Sequence, residues 1–129
     1  MFIENIEELK ELIARTKLVL VLTEPLCDLE TRERIFRDIA ETYKKDGEIV
    51  FKPHPTDVLD YKKLFPGNFV IDRKVPMEMM NFIPGIMFEK VIAVFTEMSG
   101  VSFSKENIRL GEDFMEKYED PARHRYKDD

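Results

Sequence analysis

Leu18-Val19-Leu20-Val21-Leu22 is an unbroken aliphatic run. A strand with one wet face alternates apolar and polar residues. A run that is apolar at every position is buried on both faces, as in a parallel sheet covered by helices on each side. The flanking residues agree with that reading. Upstream, Ile6, Leu9, Leu12 and Ile13 recur at helical spacing and predict an amphipathic helix over about residues 4 to 15. Downstream, Ile35, Ile39 and Tyr43, with Phe36 and Ala40 beside them, form the apolar stripe of a second helix that stops at Asp46-Gly47. Ile49-Val50-Phe51 is a second strand.

The pattern continues to the end of the chain. A short helix is expected from Asp60 to Phe65, closed by Pro66-Gly67, then a third strand at Phe69-Val70-Ile71. Pro76 opens a helical segment over Met77 to Phe82, which Pro84-Gly85 breaks. Val91-Ile92-Ala93-Val94-Phe95 is the strongest later strand, Ile108-Arg109-Leu110 a further one, and Glu112 to Tyr118 a final helix. From Asp120 the charged tail reads as frayed. Strands alternating with helices imply an α/β layer fold with a mainly parallel sheet. At 129 residues the chain is expected to be a single domain, residues 1–129.

Composition excludes several classes of function. A formal net charge of −6 argues against a broad nucleic-acid footprint, while leaving room for a local basic site. The single cysteine, Cys27, forms no internal disulfide and suits a reducing, cytoplasmic setting. No apolar run approaches the roughly 20 residues that span a bilayer, which leaves peripheral association as the membrane relation still open. G-x-G-x-x-G and Walker A motifs are absent, which disfavours dinucleotide and P-loop sites. No His/Cys/Asp cluster has metal-ligand spacing, so no metal is expected. Met77, Met79, Met80, Met87 and Met98 read as core filler.

The chemistry-bearing residues follow the strands. The first strand runs into Thr23-Glu24-Pro25-Leu26-Cys27-Asp28, the second into Lys52-Pro53-His54-Pro55, and the strand at 91–95 into Thr96-Glu97-Met98-Ser99-Gly100. In a parallel sheet these three loops leave on one edge, where open α/β sheets bind ligands. The two prolines make Lys52-Pro53-His54-Pro55 a rigid turn, and its histidine is suited to exchanging a proton near neutral pH. Each residue also has a plainer reading. His54 alone is a turn residue, and Lys52 is either a solvated charge or a phosphate contact. Asp28 is either a helix N-cap or a catalytic carboxylate. Thr96 and Ser99 either cap a following helix or sit at its anion-binding start. His124, in the tail, reads as incidental.

Read in order, the strings T-E-P-L-C-D, F-K-P-H-P-T-D, Y-K-K-L-F, F-V-I-D, V-P-M-E-M-M, F-E-K-V-I-A-V-F-T and I-R-L-G-E-D-F resemble the C-terminal half of bacterial GT-B sialyltransferases. The likeness is to the lipooligosaccharide type, glycosyltransferase family 52, from about Leu18 to Tyr118. It implies a Rossmann-like three-layer domain, one half of a GT-B fold, that holds the donor CMP-sialic acid. It also implies metal-independent, inverting transfer to a glycan acceptor, with no cofactor beyond the donor. The family's H-P motif falls on His54-Pro55, whose histidine would act as general acid toward departing CMP. Its acidic motif, carrying the general base, falls on Asp28, here without the second acid and the glycine. Its paired Ser/Thr motif falls near Thr96 and Ser99, and Lys52 would join the phosphate contacts.

A cytidine-diphosphate polyol transferase and a non-catalytic binding or assembly module are competing expectations. The module predicts a buried His54 with Asp28 used only as a cap. A half-domain also leaves exposed the face that would meet its other half, which predicts a homodimer.

Overall fold

The structure, a computed structural model, describes residues 2–118. In chain order it runs α1 (Phe2–Arg15), β1 (Leu18–Leu22), α2 (Leu29–Tyr43), β2 (Glu48–Lys52), α3 (Tyr61–Leu64), β3 (Phe69–Val70), a 3-10 helix (Met77–Phe82), β4 (Lys90–Ala93), β5 (Asn107–Arg109) and α4 (Gly111–Met115). The strands form one parallel sheet in the order β3-β2-β1-β4-β5. The chain therefore builds outward from β1 on one side, returns, and builds outward on the other. The reversal lies between β1 and β4.

Strand alternation splits the core into two layers. Leu18, Leu20 and Leu22 of β1 join Val50, Val91 and Ala93 on one face, under Ile6 and Leu9 of α1 and Met80 of the 3-10 helix. Val19 and Val21 join Ile49, Phe51 and Ile92 on the other, under Ile35, Phe36 and Ile39 of α2, Tyr61 of α3 and Met115 of α4. All five β1 side chains are buried, as the unbroken aliphatic run predicts. The architecture is α/β and Rossmann-like, with helices on both faces of the parallel sheet. Gly47 is needed where α2 returns to β2, because a Cβ there would lie 2.9 Å from the Lys17 carbonyl oxygen. Among the described residues no helix is long and apolar enough to cross a membrane.

The helical segment expected over Met77 to Phe82 is present, and four other expectations need correction. The Met77–Phe82 segment is a 3-10 helix, because its core-facing residues Met77, Met80 and Ile83 recur every third position and eclipse in that geometry. The same spacing puts Met79 and Phe82 on another face, where they and Met87 are exposed and therefore not core filler. The strand expected over 91–95 ends at Ala93, since the amides of Val94 and Phe95 bond to the Glu24 side chain instead of a ladder. No helix follows Thr96–Ser99: the chain from Val94 to β5 has no helical element, so there is no helix start there to bind an anion. The final helix is confined to Gly111–Met115. His124 and the tail from Asp120 lie outside the described residues.

Candidate functional site

At the carboxyl edge of the sheet the loops after β1, β2, β3 and β4 surround a cleft of about 340 Å³. Its walls include Thr23, Lys52, Pro53, His54, Pro55, Lys74, Glu78 and Thr96. Of the six site residues expected from sequence, Lys52, His54, Pro55 and Thr96 meet here. Asp28 and Ser99 are not among the lining residues. Asp28 is the N-cap of α2, its Oδ1 accepting the Thr31 N–H at 2.8 Å. Ser99 donates its backbone N–H to Glu97 Oε1 at 2.8 Å in a local turn and is exposed.

The His54 ring is oriented by its own turn. Its Nδ1 accepts the Thr56 backbone N–H at 3.1 Å and lies 2.9 Å from the Thr56 hydroxyl. A backbone donor on Nδ1 places the proton of the neutral ring on Nε2. His54 is exposed, so that N–H is available to a ligand in the cleft. Lys52 is nearly buried at 4% exposure, with Nζ donating to the Pro53 carbonyl at 2.7 Å and the Arg73 carbonyl at 3.3 Å. Burial lowers its ammonium to about 8, against the smaller opposing pull of Asp72 and Glu78.

Behind the cleft lies a buried polar network whose centre, Asp57, has no solvent exposure. Its Oδ2 accepts from the Thr23 hydroxyl at 2.8 Å and the Tyr61 hydroxyl at 2.6 Å. Its Oδ1 accepts from Arg32 at 2.9 Å and from the Leu59 N–H at 3.1 Å. Thr23 Oγ1 in turn accepts the His54 N–H at 3.2 Å. Arg32 also donates to the carbonyls of Leu26 at 2.8 Å and Cys27 at 3.0 Å. The clamp holds Cys27 in the left-handed region, φ 57°, just before the α2 cap. One ion pair thus ties the loop after β1 to the histidine turn after β2. Burial, and after it the neighbouring Asp57 charge, pushes the Tyr61 hydroxyl far above its ordinary range.

A second buried carboxylate closes the gap between β1 and β4. Glu24 accepts the Val94 N–H at 2.8 Å and the Phe95 N–H at 3.0 Å. Desolvation raises the Glu24 carboxyl above its usual value, against the lowering effect of these hydrogen bonds.

The sequence reading did not single out Arg32, Asp57, Tyr61 or Glu24, yet two of them left a signal. Arg32 stands three and four residues before Ile35 and Phe36, in phase with the apolar stripe of α2. A charge in that register has to find a buried partner. Asp57 follows His54 by three residues inside the same turn, the spacing that lets its backbone N–H reach the His54 carbonyl at 3.0 Å. Among the described residues no group of three His, Cys, Asp or Glu side chains is placed to hold a metal ion.

Comparison with known proteins bears on this arrangement. No solved structure matches the chain. A Haemophilus influenzae protein named only "Uncharacterized protein" is 30% identical over 94 residues, which cover 69% of this chain and 30% of that protein. The chain therefore spans less than a third of that relative. The sequence profile of Glycosyltransferase family 52 matches residues 2–110, from α1 through the last strand and every loop that lines the cleft. The chain belongs to glycosyltransferase family 52.

Proposed function

We propose that this chain is the donor-nucleotide half of a two-domain GT-B sialyltransferase, and that its cleft holds CMP-sialic acid by the phosphate. One observation carries the reading: at the crossover between β1 and β4, a histidine with a presented Nε2–H stands beside a buried lysine. In the reaction the bond from the anomeric carbon to the phosphate oxygen breaks, and its electron pair stays with CMP. Lys52 and the Thr96 hydroxyl offset the charge gathering there, and His54 Nε2–H donates to the departing oxygen. The acceptor hydroxyl attacks the opposite side of the anomeric carbon, inverting it, and its proton goes to a carboxylate there, a role we assign to Asp28. No metal takes part in these steps. The acceptor is a glycan of the lipooligosaccharide type, met on the cytoplasmic side. Phe82, 82% exposed beside Met79, gives the domain an apolar face for a second copy.

Calorimetry of the chain with CMP, CDP and UDP tests the reading. The expected result is binding with a preference for CMP, weakened about tenfold or more by His54→Ala. No heat with CMP at millimolar ligand would overturn the assignment, and a preference for CDP would favour the polyol-phosphate reaction. A second reading, a binding module without catalysis, is favoured by Asp28 serving as a helix cap. It is opposed by the exposure of His54, which a decayed site would bury.

A further inference from the structure

The proposed transfer asks His54 for a proton, and the neutral ring is the wrong form to give one. Losing Nε2–H from neutral imidazole would leave an imidazolate anion. The acid has to be the imidazolium, which carries a hydrogen on each nitrogen. In that form Nδ1 has no lone pair for the Thr56 backbone N–H at 3.1 Å, and its own hydrogen needs an acceptor. The Thr56 hydroxyl lies 2.9 Å from the same nitrogen. A backbone amide only donates, whereas a hydroxyl turns about its C–O bond and either donates or accepts.

We propose that Thr56 is a positioning residue for His54: its hydroxyl donates to Nδ1 of the neutral ring and accepts from Nδ1–H of the cation, so the ring keeps one orientation in both states. The inference rests on the reading of His54 as general acid toward departing CMP. The protons balance. As the bond from the anomeric carbon to the phosphate oxygen breaks, the imidazolium passes its Nε2 hydrogen to that oxygen, and the N–H electron pair stays on Nε2. The ring is then neutral with its hydrogen on Nδ1, held by Thr56 Oγ1. Solvent returns a proton to Nε2. Thr56 is not among the residues lining the cleft, so it acts through the histidine and not on the ligand. The charged groups around the ring are Lys52 at the end of β2, Lys74 after β3, Glu78 on the 3-10 helix, and Asp57 behind the turn, paired with Arg32. The loops after β1 and β4 bring the uncharged Thr23 and Thr96 to the walls. A substitution at Thr56 removes none of these groups.

The test is nitrogen-15 NMR of the labelled chain carrying His124→Gln, which leaves His54 as its one histidine. The ring nitrogen shifts report which nitrogen carries a hydrogen, and are followed as pH is varied. Thr56→Val keeps the shape of the side chain and replaces the hydroxyl with a methyl. It is expected to lower the proton affinity of the His54 ring about three- to tenfold, the size of one net hydrogen bond. His54 and Thr56 are both exposed, and competition from water keeps the effect within that range. Thr56→Ala, which also lacks the hydroxyl, is expected to match Thr56→Val, and serves alone if the valine variant fails to fold. Thr56→Ser, which retains it, is expected to stay within about twofold of wild type. An unchanged or raised proton affinity in the variants without a hydroxyl overturns the inference. So does a loss that Thr56→Ser shares, because the shape of the turn and not the hydroxyl would then be responsible. Calorimetry of CMP against the wild-type chain separates the two layers. No binding of CMP removes the reading of His54 as its general acid, whereas CMP binding with a ring indifferent to Thr56→Val removes only the role of Thr56.

Discussion

Asp57 gathers hydrogen bonds from Thr23, Arg32, Leu59 and Tyr61 without reaching water, and that makes it the residue on which the site's shape depends. A buried charge pair adds little net stability against an apolar substitute, but removing one partner strands the other. Asp57→Asn leaves the Arg32 guanidinium with two carbonyls and no counter-charge. It is expected to cost about 3–5 kcal/mol of stability in chemical denaturation, a large share of what a domain has. Lys52 makes a prediction of a different kind. Its folded value, about 8, lies below the 10.5 of an unperturbed lysine. Between those values the unfolded chain binds the proton and the folded chain does not, so stability rises with pH across that window and the penalty is constant below it. A bound anion favours the charged form. CMP affinity is therefore expected to fall as pH rises through about 8, and Lys52→Met should flatten that dependence in titrations at several pH values.

At the scale of elements, the N-terminus of α2 decides between two duties for Asp28. Asparagine caps a helix about as well as aspartate, and alanine does not. Asp28→Ala is expected to lower stability by about 1 kcal/mol, while Asp28→Asn leaves the melting temperature near that of wild type. An Asp28→Asn protein that binds CMP normally but transfers no sugar when joined to its acceptor half would assign the base; undiminished transfer would leave Asp28 as a cap only. Elements were legible wherever local pattern and tertiary demand coincide. The aliphatic run at β1 and the stripe of α2 both predicted their elements, because burial on two faces or on one stripe leaves a direct imprint on residue order. The end of β4 was not legible. Val94 and Phe95 are good strand residues, but a carboxylate 70 residues earlier takes their amides. The Met77–Phe82 segment was legible as helical, but its 3-10 form was not, because the core draws every third residue inward.

At the scale of the whole molecule, strand order brings the site together. Placing β1 between β2 and β4 carries Thr23, His54 and Thr96 to one edge although they are far apart in sequence. The same assembly leaves the Met79–Phe82 face of the 3-10 helix uncovered. Light scattering at high concentration is expected to find a dimer that Phe82→Ser shifts toward monomer; a wild-type monomer would oppose that association.

By itself, the sequence determined the class of fold, the positions of the main strands and helices, and the constrained histidine turn. These are local properties, set by side-chain periodicity and by two prolines around one residue. Only the tertiary structure decided which polar residues meet. It put Lys52, His54 and Thr96 in one cleft, committed Asp28 to a helix end, and buried Asp57 with Arg32 and Glu24 against the end of β4. The physical reason is that a buried polar group must find its partner wherever the packed chain offers one, and such partners are chosen by proximity in space, which residue spacing alone does not encode.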